Sequence, residues 1–284
     1  MTLQVGVIGL GVLGKPVAER LLGKGFEVAV YDVRAEAVAA LTSAGARGCV
    51  SPAEVARHSD FIVSLVSDQA QTEAIVWGDD GVLATLRRDA VMIIGSTLGP
   101  APVKRVAEAL AARGGATLDT PISGGYLAAY EGTLSLMVGG SQTALDRALP
   151  VLQAFARDIT LAGDVGAGQA AKLAHQLVFS LNVMALLEGL ALGTAAGVQP
   201  DVLKTIFRDG IADSAVLGLW KDLGGRWKGM LEATPPGLVP PNMRKDLHLV
   251  LELAHSLGVP LYLGTQGSLI ADAGIATGHD DPTL

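Results

Sequence analysis

Hydrophobic positions fall into two regimes along this chain. Through the first half, short β-branched runs ("VGVIG", "EVAVYD", "FIVSLV", "AVMIIG", "SLMVGG") alternate with Ala-rich segments whose apolar residues recur at helical spacing. That alternation predicts βαβ units and a parallel sheet. One helix start is legible in "SPAE" (51–54), where Ser51 and Glu54 form a capping box and Pro52 takes the first helical position. After "DITLAGDVGAG" the strand pattern stops. From residue 169 onward the spacing is helical, broken at "GVQP" (197–200), "EATPPGLVPPN" (232–242) and "LGVP" (257–260). The expected organisation is an α/β domain over residues 1–163 and an all-helical domain over 164–284.

The most apolar stretch, 169–197, raises the question of a membrane span. Its best charge-free run, "LAHQLVFSLNVMALL", still carries His175, Gln176, Ser180 and Asn182, and is short against the ~20 apolar residues that a span needs. Gly189, Gly193 and Gly197 recur every fourth residue, a spacing that lets another backbone approach one face. The expectation is a buried helix in a protein outside the membrane, with a subunit interface as one place for that face. Composition agrees. Of 284 residues, 50% are hydrophobic and 17% charged, and the net charge of −7 disfavours nucleic acid or an anionic membrane as partner. A single cysteine, Cys49, excludes an intrachain disulfide and fits a reducing, cytoplasmic setting. "LQVGVIG" already reads as a strand, which leaves no room for a secretory leader. No metal site is expected.

Chemistry enters at "VGVIGLGVLGKPVAERLLGKG". Gly9, Gly11 and Gly14 stand in G-x-G-x-x-G spacing between an apolar strand and a helical pattern, the context that makes this motif a Rossmann dinucleotide fingerprint. Gly9 permits the tight turn, Gly11 lets a pyrophosphate approach the backbone and Gly14 lets helix pack on strand. Leu10, Val12 and Leu13 complete the loop. Asp32 ends the second strand at the distance where a carboxylate accepts hydrogen bonds from the adenosine ribose and repels a 2′-phosphate, which favours NAD over NADP. Arg34, two residues on, could instead hold that phosphate, and Asp32 could simply cap the next helix.

In an open parallel sheet the ligand lies beyond the carboxyl ends of the strands. The candidates there are Val66 and Ser67 in "VSD", "GSTLGP" (95–100) and "TPISGG" (120–125). Ser123, Gly124 and Gly125 offer a hydroxyl and unobstructed backbone N–H groups, either a nest for a substrate carboxylate or an ordinary Pro/Gly turn. Lys172, His175 and Gln176 share one face of the apolar helix at i, i+3 and i+4. Lys172 could snorkel to water and His175 could be an interior histidine. As a cluster beside a dinucleotide site they read as a catalytic face, in which an apolar setting would lower the lysine's pKa enough for proton transfer.

These segments carry a resemblance. "VIGLGVLGKPVAERLLGKG", "GSTLGPAPV", "LDTPISGGYLAAYEGTLSLMVGG", "GAGQAAKLAHQLV", "KDLHLVLELAHSLGVPLYL" and the terminal "GHDD" are similar, in this order and almost end to end, to the β-hydroxyacid dehydrogenase family, which includes 3-hydroxyisobutyrate dehydrogenase and tartronate semialdehyde reductase. The resemblance implies a Rossmann domain joined through a long helix to a helical domain, with homodimers or larger oligomers made through the helical half. It implies reversible hydride transfer between NAD(P) and the hydroxyl-bearing carbon of a short 3-hydroxy acid. By position it makes Lys172 the catalytic lysine, Ser123, Gly124 and Gly125 the substrate-carboxylate loop, Thr97 a residue near the nicotinamide, and Lys245 a lysine closing over the cofactor. His175 and Gln176 are expected to orient the substrate or to stabilise the alkoxide-like oxygen. The chain differs from the family's usual pattern at two places. Ile94 and Gly95 replace an acid before the "ST" pair, and "LAHQ" follows the lysine where "xxNN" or "xxNQ" is common. An NADPH-dependent imine reductase is the alternative enzyme, although such enzymes usually lack the lysine. A non-catalytic dinucleotide-binding protein is the alternative of another kind.

Overall fold

The computed structural model describes residues 3–222 and 241–276. Most of the loop expected at 232–242, and the terminal "GHDD", lie outside the described residues. Two compact units divide at Lys172/Leu173, inside a helix rather than at the expected position after residue 163.

The first unit is built on one nine-stranded sheet: β1 (Gln4–Ile8), β2 (Glu27–Tyr31), β3 (Arg47–Gly48), β4 (Phe61–Ser64), β5 (Val91–Ile94), β6 (Ala116–Asp119), β7 (Ile122–Ser123), β8 (Leu134–Gly139) and β9 (Ala156–Gly163). Strands β1 to β6 are parallel in the order 3-2-1-4-5-6, the Rossmann arrangement with its topological switch between β1 and β4. Alternate residues of the central strands enter different cores. Val5, Val7, Phe61, Val63, Val91 and Ile93 pack on one face, while Ile8, Ile62, Met92 and Ile94 pack on the other. Burial on both faces explains why these strands are apolar at consecutive positions.

The expected parallel sheet is present, and its far edge adds antiparallel pairing. Strand β8 runs antiparallel to β6 and β7, and β9 pairs parallel to β8. Strand β7 follows β6 along the same edge of β8 in one register, with Asp119 opposite Gly139, Ile122 opposite Leu136 and Ser123 opposite Ser135, and the chain reverses after it, over residues 124–133, into β8. The strands without a signal in the sequence were the two-residue β3 and β7 and the short β6.

Helices α1 (Gly14–Gly23), α2 (Ala35–Ser43), α3 (Pro52–Arg57), α4 (Gln69–Trp77), α5 (Val82–Thr85), α6 (Pro100–Ala111), α7 (Gly125–Glu131) and α8 (Gln142–Leu152) complete this unit. The expected cap of α3 is present. Ser51 Oγ accepts from the Glu54 N–H at 3.2 Å, and the Glu54 carboxylate accepts from the Val50 N–H at 2.8 Å.

The long helix α9 (Ala167–Ala195) starts in the first unit and continues into the second, which also contains α10 (Pro200–Asp209), α11 (Ala215–Asp222), α12 (Pro241–Leu257) and α13 (Tyr262–Ala276). By length and composition alone α9 could cross a membrane. The glycine stripe has a local explanation. A Cβ at Gly193 would lie 2.6 Å from Leu203 of α10, and one at Gly189 would lie 3.5 Å from Phe207. The face expected at a subunit interface is therefore occupied within the chain. Gly197 does not belong to it: with φ +93° it ends the helix.

Candidate active site

The glycine loop is shaped by contacts that only glycine allows. Gly9 has φ +89°, and a Cβ there would press on the Leu65 carbonyl at 2.9 Å. A Cβ at Gly14 would sit 1.8 Å from the Gly9 oxygen, which forces close packing of α1 on β1. At Gly11 a Cβ would meet nothing within 4 Å. That open space belongs to a cavity of about 510 Å³ at the carboxyl ends of β1, β2 and β4, within the ~300–1,000 Å³ typical of small-molecule sites. Gly9, Gly11, Val12, Asp32, Val66 and Ser67 all line it, so the residues present fit a dinucleotide. Leu10, Leu13, Gly14 and Thr97, of the same unit, are absent from its lining. Leu10 is instead a core residue, and Leu13 packs on that core.

Asp32 is held firmly. Its Oδ2 accepts the Leu10 N–H at 2.7 Å, and its Oδ1 accepts the Arg34 N–H at 2.9 Å and Nε–H at 3.0 Å. Arg34 Nη2 also reaches Oδ2 at 3.2 Å and the Leu10 carbonyl at 3.2 Å. Burial pushes the Asp32 carboxyl up, but the Arg34 guanidinium and the two backbone amides outweigh it and hold the group below its ordinary value.

A second constellation gathers where β5 and β6 end. Asp119, fully buried at the end of β6, accepts the Gly166 N–H at 2.7 Å and the Gln169 N–H at 2.8 Å. It thereby satisfies amides at the start of α9 that have no partner within the helix. Burial nevertheless pushes its carboxyl above the usual range. A Cβ at Gly139 would strike Asp119 Oδ1 at 2.3 Å, and one at Gly168 would strike the Met137 carbonyl oxygen at 2.4 Å, so both glycines admit the helix start to the sheet edge. Gln169 then reaches across. Its Oε1 accepts the Leu98 N–H at 2.8 Å and its Nε2 donates to the Ser96 carbonyl at 2.9 Å, bracketing Thr97. Ser96 Oγ donates to the Val66 carbonyl at 2.5 Å, which links this loop to the cavity wall.

Lys172 lies one turn beyond Gln169 on the same helix face and is 6% exposed. Ser123 ends β7, opposite Ser135 of β8. Gly124 and Gly125 follow with φ of +125° and +70°, and a Cβ at Gly125 would meet open space. Gly95, at the position of the missing acid, is packed so closely that a Cβ would lie 2.5 Å from Leu65 Cδ2, so a side chain there must displace Leu65.

In the second unit His175 and Gln176 occupy the next turn of α9. His175 Nδ1 lies 3.1 Å from Gln176 Oε1, and Gln176 Nε2 donates to Asp246 Oδ2 on α12 at 2.7 Å. Lys245 Nζ sits 2.9 Å from Asp246 Oδ1, a close ion pair. Sequence reasoning overlooked Asp119, Gln169 and Asp246. Each had a weak signal: a polar residue inside or beside a quoted motif with no role assigned to it.

Residues 4–163 match the family described as the NAD binding domain of 6-phosphogluconate dehydrogenase, and residues 166–283 match that described as NAD-binding of NADP-dependent 3-hydroxyisobutyrate dehydrogenase. A 3-hydroxyisobutyrate dehydrogenase of Pseudomonas aeruginosa is 35% identical over 92% of this chain and 88% of its own length. A 2-hydroxy-3-oxopropionate reductase of Escherichia coli is 33% identical over 91% of the chain and 87% of its own. A crystal structure of 3-hydroxyisobutyrate dehydrogenase from Salmonella typhimurium superposes with a TM-score of 0.84 at 30% identity, covering 98% of this chain and 95% of the other. The glycine loop, its cavity and the lysine-bearing helix start are thus those of an NAD(P)-dependent hydroxy-acid dehydrogenase, and the chain belongs to the β-hydroxyacid dehydrogenase family.

Proposed function

We propose that this chain transfers hydride reversibly between NAD and the hydroxyl-bearing carbon of a short 3-hydroxy acid, with Lys172 as general acid and base. The observation that carries the reading is the Gln169 clasp. It binds the backbone on both sides of Thr97, one helical turn from a lysine that is almost wholly buried. The bound nicotinamide supplies the hydride acceptor or donor.

The chain's own residues do the rest. Ser123 Oγ and the N–H groups of Gly124 and Gly125 hold the substrate carboxylate. Lys172 Nζ accepts the hydroxyl proton during oxidation and returns it during reduction. His175 and Gln176 orient the substrate, and Lys245 contributes positive charge to cofactor binding. NAD is preferred because the Asp32 carboxylate, at the end of β2 in the cavity lining, accepts from ribose hydroxyls and repels a 2′-phosphate.

The same reading makes the protein a cytoplasmic homo-oligomer assembled through its helical half, where Val178, Leu192, Ile206 and Ile211 are exposed. Neither a membrane nor a nucleic acid is its partner. The polar face of α9, the buried bonds at its start and the net charge of −7 support this.

The test is a panel of short 3-hydroxy acids and semialdehydes assayed with NAD(H) and NADP(H), on the wild type and Lys172→Ala. The variant is expected to lose about 10²-fold or more in kcat, the scale of general acid–base catalysis, while calorimetry shows NAD affinity largely kept. Near-normal turnover in Lys172→Ala removes the lysine from the chemistry.

A further inference from the structure

Asp246 is 4% exposed, carries an ion pair to Lys245 and receives the Gln176 side-chain amide. An ionised carboxylate can only accept hydrogen bonds, so it dictates which end of that amide it meets: the NH2 group. The amide oxygen must then face the other way, and Gln176 Oε1 does, 3.1 Å from His175 Nδ1. An amide oxygen has no hydrogen to give, so the imidazole must supply the proton from Nδ1. In the neutral ring Nε2 is then the lone-pair nitrogen. Phe179, one turn on, stacks against the ring with centroids 6.4 Å apart and planes at 20°, which restrains its orientation.

We propose that Asp246 is a positioning residue that fixes His175 as the Nδ1–H tautomer through Gln176, so that the ring presents an acceptor rather than a donor to the substrate. The tautomer follows from the Gln176–Asp246 and His175–Gln176 hydrogen bonds; its use toward substrate rests on the dehydrogenase reading above. The relay lies wholly within the helical unit and depends on Gln176 being a glutamine. That amide offers its donating end to the carboxylate and its accepting end to the imidazole. The consequence for specificity is that the ring matches a substrate group bearing a hydrogen, a hydroxyl or an ammonium, better than one offering only lone pairs.

Nitrogen-15 correlation spectra of the imidazoles test the first half. The chain has five histidines, and His175→Gln identifies the signal. At a pH of about 9, above the ~6.5 of an ordinary imidazole, wild-type His175 is expected to show a protonated Nδ1 and an unprotonated Nε2. Asp246→Asn lets the amide turn over, and the Nε2–H form should appear. Gln176→Met, which keeps the volume and removes the amide, should do the same and covers the case in which Asp246→Asn fails to fold. An Nε2–H ring in the wild type, or a tautomer unchanged in a folded variant, overturns the proposal.

Kinetics test the second half. In Asp246→Asn the KM for the hydroxy acid should rise about three- to tenfold, the scale of one neutral hydrogen bond, with kcat within about twofold. A rise confined to the KM for NAD would show Asp246 acting only through Lys245, and would overturn the role toward substrate. If no hydroxy acid turns over, the dehydrogenase reading fails while the spectra still decide the relay.

Discussion

Arg34 meets Asp32 before any cofactor does. Four donors, the Leu10 amide and three from Arg34, converge on the two oxygens of one carboxylate. For ribose hydroxyls to take their place, the guanidinium must give way while the backbone bonds remain. Arg34→Ala should therefore leave kcat/KM with NAD within a few-fold of wild type and depress any residual use of NADP, as the ratio of the two specificity constants would show. A rise in NADP use would reverse the roles given to the pair. The same bonds set a pH dependence. The folded Asp32 pKa is held below its ordinary 3.8, so the group adds stability above that pH and loses it as the pH falls through the folded value. Thermal melts should find the wild type more stable than Asp32→Asn at neutral pH, with the gap closing below about pH 4.

At the scale of elements, the start of α9 and the glycine stripe near its end make separate demands. Asp119 uses both carboxylate oxygens on backbone amides of the helix start. Asp119→Asn turns an amide NH2 toward one of those N–H groups, and a buried donor left without an acceptor costs about 1–3 kcal/mol. A lowered melting temperature, with activity falling alongside it, is expected, because Gln169 and the lysine's turn depend on that start. Gly193 and Gly189 give a contrast on one helix. Alanine at 193 must displace Leu203 and should destabilise, whereas at 189 it meets Phe207 at ordinary contact distance and gains up to ~1 kcal/mol of helix propensity. Paired melts of the two variants check this, and equal effects would contradict the packing of α10 on that stripe.

The two units show how far a linear pattern reaches. The Rossmann strands, the glycine loop and the capped α3 were legible because each is written in contiguous residues with a fixed period or spacing. The reversal at β8 was not, since an apolar strand has the same composition whichever way it runs. Nor were the Gln169 clasp and the Asp246 contact, which join positions 70 or more apart and have no local signature. At Gly193 the spacing points to a close approach by another backbone, with a subunit interface as one place for it, whereas the group that comes near is the Leu203 side chain of the same chain; spacing announces a close approach without saying whose. If the helical half assembles copies of the chain, light scattering should report a dimer or larger, and Leu192→Lys should shift it toward monomer. A monomeric wild type at micromolar concentration would refute that assembly.

The clasp at the start of α9 also bears on the order in which the protein comes alive. Gln169 is tied to residues 71 and 73 positions earlier, and Gly166 to one 47 positions earlier. Closing loops of that length carries an entropic cost that must be met before the contacts return anything. A nascent or refolding chain should thus carry an ordinary, hydrated amine until β5 and β6 are in place. Recovery of turnover after dilution from denaturant should then lag strand formation and coincide with exchange protection of the Gly166 and Gln169 amides.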